Sequence, residues 1–201
     1  MAIVSGDLAI LRSGDLAIVP AAGKSERFGR MKLLADVGGE RLLDRTLRSL
    51  LDAGVATVVV VLAPGAALDE VRLFRDARVK TVVNPDPSRG MFSSLLTGLA
   101  AAEGDPIVIL PADMPFVRPA TIADVIREAT VRQACVVAAH EGRRGHPLVL
   151  PGRLRSALLS APPGGSLRHA LQELDVEVSA LETHDAGVLR DVDYPRDLGE
   201  G

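Results

Sequence analysis

The sequence predicts an α/β protein: a single Rossmann-like, three-layer domain built on a mainly parallel sheet. Two observations predict this class. Short apolar runs rich in Val, Ile and Ala alternate with amphipathic helical segments, and the 201 residues have the length of one medium domain. Strands and helices that take turns along a chain place helices on both faces of the sheet. In such sheets ligands bind beyond the carboxyl ends of the strands, where the strand order reverses.

Five apolar runs have the length and composition of strands buried on both faces. They are residues 16–21, 55–63, 79–84, 107–112 and 134–140. Four stretches between them carry apolar residues at helical spacing. They are residues 42–51, ended by Gly54, then residues 68–74 and 95–102, and finally a helix that begins at Pro119.

Composition excludes several classes of protein. With 47% hydrophobic and 24% charged residues the chain is not disordered, and no apolar run approaches the roughly 18 residues of a membrane span. The net charge of -3 includes no polybasic block, and there are only four Phe and one Tyr, which disfavours nucleic-acid binding. The single cysteine, Cys135, cannot form an internal disulfide, so we expect a buried thiol in a soluble, cytoplasmic protein without nucleic-acid or membrane partners.

The amino terminus contains a short duplication, because SGDLAI begins at Ser5 and again at Ser13. Only the second copy continues into a glycine-containing loop, and the segment lacks the basic region and cleavage site of a signal peptide. We therefore expect residues 1–12 to be a dispensable extension and residues 13–201 to form the single domain.

The loop after the first predicted strand reads AAGKSERFGRMK. It is not a P-loop, because Ile18 stands where GxxxxGKS requires glycine, and the fingerprint GxGxxG is also absent. Its small residues let backbone N–H groups approach an anion. Two of the three lysines in the chain, Lys24 and Lys32, fall here, and a lysine supplies a compact charge suited to a polyphosphate. The alternative is a solvated basic turn.

Carboxylates follow two other segments. Asp113 lies in VILPADMPFV, at the carboxyl end of a predicted central strand, and Asp191 and Asp193 lie two apart in LRDVDYPRDL. Mg²⁺ prefers one or two carboxylates with phosphate oxygens and water, so Asp113 with either of the other two predicts a magnesium site. The alternative for Asp113 is a local hydrogen-bond acceptor in a turn. Asp197, beyond the proline, is predicted to cap a terminal helix.

These three motifs, in this order, resemble the nucleotidyltransferases that activate phosphorylated small molecules, and most of all the molybdenum cofactor cytidylyltransferases. That family opens with AAGxSxRMGxxKLL, has a DMP or DQP strand end, and closes with DIDTPEDL. The resemblance covers residues 16–198 and implies a fold of the nucleotide-diphospho-sugar transferase type. Phe28, Tyr194 and Arg196 depart from the motifs, and GGSLRHAL at residues 164–171 lacks the aspartate of the family's GDxGAR acceptor segment.

The resemblance implies a Mg²⁺-dependent transfer of a nucleoside monophosphate, CMP from CTP, to a phosphorylated acceptor such as molybdopterin, with release of pyrophosphate. It implies catalytic roles for Lys24, Arg27, Lys32 and Asp113. It implies nucleotide binding by Ala21, Ala22, Gly23, Lys24, Ser25, Asn84, Gly90, Ser93 and Ser94, and metal binding by Asp113 with Asp191 or Asp193. On the acceptor side it implies a GxP turn formed by Gly145, His146 and Pro147.

Two alternatives remain open from the sequence. One is a related enzyme that uses a sugar phosphate or another small phosphorylated acceptor, which the missing acceptor-segment aspartate favours. The other is a non-catalytic protein that binds a nucleotide or cofactor and delivers it to an apo-molybdoenzyme. Lys24, Lys32, Asp113 and Asp191 favour an enzyme, because a pure binder does not need a metal beside the α-phosphate.

Overall fold

A computed structural model of the chain describes residues 14–23, 32–68 and 70–198. In these ranges the strands are β1 (Leu16–Ala21), β2 (Asp36–Val37), β3 (Glu40–Arg41), β4 (Thr57–Leu62), β5 (Val79–Val83), β6 (Ile107–Ile109), β7 (Cys135–His140), β8 (Arg143–Leu150) and β9 (Val178–Glu182). The α-helices are α1 (Leu42–Asp52), α2 (Met91–Ala101), α3 (Pro119–Arg132), α4 (Arg155–Leu159) and α5 (Leu167–Glu173). No helix in these ranges is long and apolar enough to cross a membrane.

Seven strands form one sheet in the order β5-β4-β1-β6-β8-β7-β9, while β2 and β3 form a separate antiparallel pair. Only β8 runs antiparallel to its neighbours in the large sheet, which confirms the prediction of a mainly parallel α/β fold. After β1 the chain adds β4 and β5 on one side and then returns to place β6 on the other side. The strand order therefore reverses between β1 and β6, where a ligand site is expected.

Hydrophobic clusters cover both faces of the sheet, because successive side chains of a strand point in opposite directions. Ala17 and Val19 pack in one cluster with Leu47 of α1. Ile18, between them in sequence, packs in the other cluster with Leu99 of α2. All five side chains are fully buried, so β1 is a central strand enclosed by helices on both sides, as the sequence predicts.

The predicted strands and helices differ from the structure in several places. Helix α2 begins at Met91, four residues before the predicted start. The predicted helix at residues 68–74 is wrong, since this stretch forms only a 3₁₀ helix at Arg72–Arg75. Its turn is held from α1, where the carboxylate of Asp44 accepts hydrogen bonds from the N–H groups of Arg72 and Leu73 at 3.1 and 2.8 Å. Strand β5 is an edge strand with exposed residues, not a strand buried on both faces.

The predicted GxP turn at Gly145, His146 and Pro147 is also wrong. These residues lie inside the eight-residue strand β8, which forms a hairpin with β7 and pairs with β6 on its other side. The actual turn is at Glu141 and Gly142, whose φ values of 51° and 72° fit a two-residue hairpin connection. The sequence analysis also did not predict β9, α4, α5 or the β2–β3 pair.

Candidate functional site

A cleft of about 590 Å³ opens at the carboxyl ends of β1 and β6, where the strand order reverses. Its volume lies within the range of small-molecule sites in proteins. The residues that line it are Pro20, Ala21, Ala22, Gly23, Lys32, Leu33, Pro87, Ser88, Gly90, Met91, Ser94, Pro111, Ala112, Asp113 and Asp193. The cleft thus joins the three motifs that the sequence analysis singled out.

The end of β1 forms one wall of the cleft through Ala21, Ala22 and Gly23. Both alanine side chains are buried, so this wall offers mainly backbone to a ligand. The predicted residues Lys24, Ser25 and Arg27 lie outside the described residues.

An ionic cluster forms the base of the cleft. The ammonium of Lys32 donates to Asp113 Oδ2 at 2.9 Å and to Asp193 Oδ1 at 3.1 Å. Burial lowers the pKa of Lys32, but its hydrogen bonds and charge interactions with the two carboxylates outweigh burial, so the pKa is raised above its usual value. The lysine is therefore charged at neutral pH. Residues separated by 81 and 161 positions in the sequence meet at this one nitrogen.

Neighbouring elements hold the backbone around Asp113 on several sides. The N–H of Ala112 donates to the carbonyl of Pro20 at 3.1 Å, which extends the pairing of β1 and β6 beyond the last residue of β6. The buried hydroxyl of Thr46, on α1, donates to the carbonyl of Ala112 at 3.0 Å. The N–H of Val192 donates to the carbonyl of Asp113 at 2.9 Å and so joins the closing motif to this loop.

The position of Asp193 is set by its own turn. Asp197 lies in the 3₁₀ helix Pro195–Leu198, and its Oδ2 accepts hydrogen bonds from the N–H groups of Asp193 and Tyr194 at 2.9 and 2.6 Å. Asp197 therefore lies inside this short 3₁₀ helix and caps its start by accepting hydrogen bonds from the two residues that precede the helix. The sequence predicted instead that Asp197 would cap a longer terminal helix. The cap fixes the backbone from which the Asp193 side chain reaches Lys32.

Asp191 does not line the cleft. Its side chain is exposed and borders a second cleft of about 570 Å³, together with His140, Arg143 and Arg190. Of the two aspartates that the sequence leaves open, the structure brings only Asp193 into contact with Lys32 and, through it, with Asp113.

The opposite wall comes from the segment before α2 and the first turn of that helix. Gly90 and Ser94, two of the residues predicted to bind the nucleotide, line the cleft. Gly90 has φ 88° and ψ 178°, a backbone conformation that favours glycine. Asn84 and Ser93 lie behind the wall: the amide of Asn84 donates to the hydroxyls of Ser93 and Ser94 at 2.8 and 3.0 Å. Asn84 is almost fully buried, so it holds the wall in place and does not form its surface.

Pro87, Ser88 and Met91 also line this wall and were not predicted from the sequence. Met91 is 55% exposed at the start of α2, and Pro87 and Ser88 lie in the 3₁₀ helix that precedes Gly90. The sequence PSRGM could have indicated them, because proline, serine and glycine favour a turn and the helix α2 begins immediately after Gly90.

Gly145, His146 and Pro147 lie where the pairing of β8 with β7 shifts register, just before the residues of β8 that pair with β6, and none of the three lines the cleft. A Cβ at Gly145 would lie 1.9 Å from the carbonyl oxygen of Val188, so only glycine fits there. Burial lowers the pKa of His146, opposed by a backbone hydrogen bond at Ile109 and by the charges of Asp113 and Asp191, so the neutral imidazole is favoured. Its buried Nδ1 has no hydrogen-bond partner within the described part of the chain.

The carboxylate pair suits a divalent cation bound together with a substrate. Asp113 and Asp193 each direct one oxygen to the point that the Lys32 ammonium occupies. Two carboxylates are the protein contribution that Mg²⁺ requires when phosphate oxygens supply other ligands. In residues 14–23, 32–68 and 70–198 there is no group of three or more His, Cys, Asp and Glu residues able to hold a metal ion, so the remaining ligands would come from the substrate or water.

Known proteins are similar to this chain in sequence over most of its length. The molybdenum cofactor cytidylyltransferase of Escherichia coli K12 is 25% identical over 183 residues, which cover 90% of this chain and 92% of that protein. The nicotine blue oxidoreductase of Paenarthrobacter nicotinovorans is 30% identical over 185 residues, 88% of this chain and 90% of that protein.

Solved structures superpose on this chain over most of its length. The crystal structure of Rv0371c from Mycobacterium tuberculosis H37Rv superposes with a TM-score of 0.77 at 25% identity, covering 92% of this chain and 95% of that one. A complex of the same mycobacterial protein with manganese gives a TM-score of 0.71 at 23% identity, with coverage of 92% and 95%. The likeness confirms the nucleotidyltransferase type of fold that the sequence predicts.

The sequence profile of the MobA-like NTP transferase domain matches residues 17–178, a range that begins in β1 and ends at the first residue of β9. This range contains Lys32, Asp113 and the backbone wall, which is the wall of the cleft formed by Ala21, Ala22 and Gly23. Asp193 follows the matched range. The profile, the relatives and the fold agree, and the chain belongs to the family of MobA-like NTP transferase domains, which are nucleotidyltransferases.

Proposed function

We propose that this chain is a metal-dependent nucleotidyltransferase that transfers CMP from CTP to a phosphorylated small molecule, with molybdopterin as the first candidate acceptor, and releases pyrophosphate. The observation that carries the proposal is the meeting of Lys32, Asp113 and Asp193 in a cleft at the strand-order reversal. Family membership supports nucleotidyl transfer but does not fix the nucleotide or the acceptor, and one relative is named an oxidoreductase.

The proposed reaction requires no general base, because a phosphate monoester, with a second pKa of about 6, is already ionised near neutral pH. An acceptor phosphate oxygen attacks the α-phosphorus of the nucleotide and forms a new P–O bond. The bond from the α-phosphorus to the bridging oxygen breaks, and its electron pair leaves with pyrophosphate. Catalysis then consists of alignment and of neutralising charge around the α-phosphate.

Each wall of the cleft has a role in this proposal. The backbone of Ala21, Ala22 and Gly23 lies beside the triphosphate, and Lys32 meets the α-phosphate. Lys24 and Arg27 hold the leaving pyrophosphate. Asp113 and Asp193 would hold Mg²⁺, which when bound would add positive charge at the phosphate oxygens.

Ala22 supports CTP over GTP. Ala22 lines the cleft where β1 ends although it is only 4% exposed, and an alanine at this position leaves less room than a glycine would. A purine is wider than a pyrimidine, so a narrower site favours the cytosine of CTP. The name of the Escherichia coli relative, a cytidylyltransferase, supports the same choice.

Molybdopterin is the first candidate acceptor because the Escherichia coli relative is named for the molybdenum cofactor. In that case the protein works in the cytoplasm and delivers its product to an apo-molybdoenzyme. The second candidate is a sugar phosphate or another small phosphorylated molecule. It is favoured by residues 164–171, which lead into α5 without the acceptor-segment aspartate.

A panel assay tests the proposal. The purified protein is incubated with each of the four nucleoside triphosphates and with molybdopterin, sugar phosphates and alcohol phosphates, and pyrophosphate release is measured with Mg²⁺ or with a chelator. We expect release with CTP and one class of acceptor, abolished by the chelator and by Asp113→Asn. Absence of pyrophosphate from every pair, or an unchanged rate in the chelator, would reject the proposed function.

A further inference from the structure

The Lys32 ammonium occupies the point where the two cleft carboxylates meet. It lies 2.9 Å from Asp113 Oδ2 and 3.1 Å from Asp193 Oδ1. Its side chain is only 12% exposed, against 26% for Asp113 and 41% for Asp193. A charged group this buried needs partners to offset its lost hydration, and these two carboxylates supply them. Lys32 in turn neutralises one of the two negative charges of the pair.

A divalent cation bound between the same two carboxylates would lie close to the Lys32 ammonium, which contacts one oxygen of each. An ammonium and a dication that share the pair would lie only a few ångströms apart, and at that distance two positive charges repel each other strongly. The repulsion therefore favours movement of the ammonium away from this point when the cation enters. Because the ammonium is buried and charged, it leaves readily only for another anion.

The triphosphate is that anion in the proposed reaction. The backbone wall of Ala21, Ala22 and Gly23 and the ammonium of Lys32 line the same cleft, so a triphosphate beside the wall lies within reach of the lysine. If the ammonium moves to the phosphates, it no longer competes for the two carboxylates with a cation that the phosphates also bind.

We propose that Lys32 is an internal counter-ion that competes with divalent cations for Asp113 and Asp193, so that a cation enters this site together with the triphosphate and not before it. This inference rests on the proposed function, because it takes a triphosphate as the occupant of the cleft. By thermodynamic linkage, the triphosphate tightens cation binding and the cation tightens triphosphate binding by the same factor.

The inference predicts opposite effects of one substitution on two ligands. Lys32→Met removes one positive charge beside Asp113 and Asp193, so the nucleotide-free protein binds a divalent cation more tightly there, by about tenfold for the loss of one nearby charge. The same substitution removes a positive charge from the cleft and so weakens binding of a triphosphate. A lysine that acted only on phosphate would leave cation binding to the free protein unchanged.

The test measures Mn²⁺ binding without nucleotide or acceptor, from the electron paramagnetic resonance signal of free Mn²⁺. Wild type, Lys32→Met and the matched control Lys80→Met are compared, since Lys80 is exposed on the edge strand β5 and outside the cleft. We expect the Mn²⁺ dissociation constant to fall about tenfold in Lys32→Met only. The gain should disappear in Lys32→Met combined with Asp113→Asn, which locates it at the carboxylate pair. Equal or weaker Mn²⁺ binding in Lys32→Met would overturn the inference.

A second variant at the same position separates loss of the charge from loss of the fold. Lys32→Gln removes the charge but retains a polar group for the carboxylates, and thermal denaturation with and without Mn²⁺ verifies that each variant is folded. Because the assay involves no turnover, its outcome is separate from that of the proposed function. Tighter Mn²⁺ binding without nucleotidyl transfer would support the inference and reject the function. Transfer by the wild type with unchanged Mn²⁺ binding in both folded Lys32 variants would reject the inference alone.

Discussion

Asp191 and Asp193 are both aspartates and lie only two positions apart in the sequence, but their side chains lie in different clefts. Asp193 bonds Lys32 in the cleft, while Asp191 is exposed beside the second cleft. We expect Asp193→Asn to lower kcat by on the order of 100-fold, as loss of a group that organises transition-state charge does. Asp191→Asn is the matched control and should change kcat little. Steady-state pyrophosphate release measures both, and equal losses would contradict the assignment.

The sequence alone could not separate these two aspartates. A spacing of two places both side chains on one face of an extended chain, with Val192 on the other. In the structure Val192 is fully buried, as this pattern predicts, but the cap from Asp197 turns the chain at Asp193 and Tyr194. The turn directs Asp193 toward Lys32, and it depends on hydrogen bonds that a spacing rule does not describe.

Ala22 is predicted to influence the choice of base. The substitution Ala22→Gly removes one methyl group beside the cleft, which is worth on the order of 1 to 3 kcal/mol in a binding pocket. We therefore expect the ratio of kcat/KM for CTP to that for GTP to fall in Ala22→Gly without being inverted completely. A wild-type protein that prefers GTP, or a ratio that the substitution leaves unchanged, would place base selection in the wall formed by residues 84–94.

Helix α1 supports the loop that carries Asp113. Thr46 is fully buried, and its hydroxyl donates to the carbonyls of Leu42 at 3.2 Å and Ala112 at 3.0 Å. Thr46→Val keeps the shape but removes the donor, so we expect a loss of about 1 to 3 kcal/mol in the free energy of unfolding. We also expect kcat to fall while KM for the nucleotide changes little, because the substitution disturbs Asp113 and leaves the backbone wall intact.

Thr46→Ser is the control for this prediction, since it keeps the hydroxyl and loses only a methyl group. Urea denaturation gives the stability of both variants, and steady-state kinetics gives kcat and KM. A Thr46→Val protein that is destabilised but has the wild-type kcat would show that α1 contributes to stability alone.

The elements with strong local patterns were predicted well, and those that depend on distant partners were not. The apolar run of β1, the leucine stripe of α1 and Pro119 at the start of α3 each specify their element within a few residues. Strand β8 begins with two exposed arginines and contains a proline, so its sequence resembles a turn. It becomes a strand because β6 and β7 pair with it on either side.

At the scale of the whole molecule, the topology explains why distant motifs meet. The alternation of strands and helices was enough to predict that the loops after β1 and β6 share one edge of the sheet, and the cleft lies there. The bridge from Lys32 to two carboxylates could not be predicted, because it requires the closing motif to cross this edge. That crossing depends on the hydrogen bond from Val192 to the carbonyl of Asp113, far away in the sequence.

The amino-terminal segment is predicted to be separable from this architecture. Residues 1–12 lie outside the described residues, and the central strand β1 begins only at Leu16. We expect deletion of residues 1–12 to leave both the midpoint of thermal unfolding and kcat/KM unchanged. A lower midpoint or a lower kcat/KM in the shortened chain would show that the first copy of SGDLAI contributes to the fold or to the site.

The central claim is that this cleft transfers a nucleotidyl group, and the fate of the phosphates of CTP tests it most directly. The purified protein is given Mg²⁺, a phosphorylated acceptor from the panel, and CTP labelled either at the α-phosphate or at the γ-phosphate. We predict that the α-label moves into the acceptor product and the γ-label into pyrophosphate, in equal amounts, and that Asp193→Asn suppresses both. A γ-label released as inorganic phosphate, or an α-label that stays in CTP with every acceptor, would contradict the account.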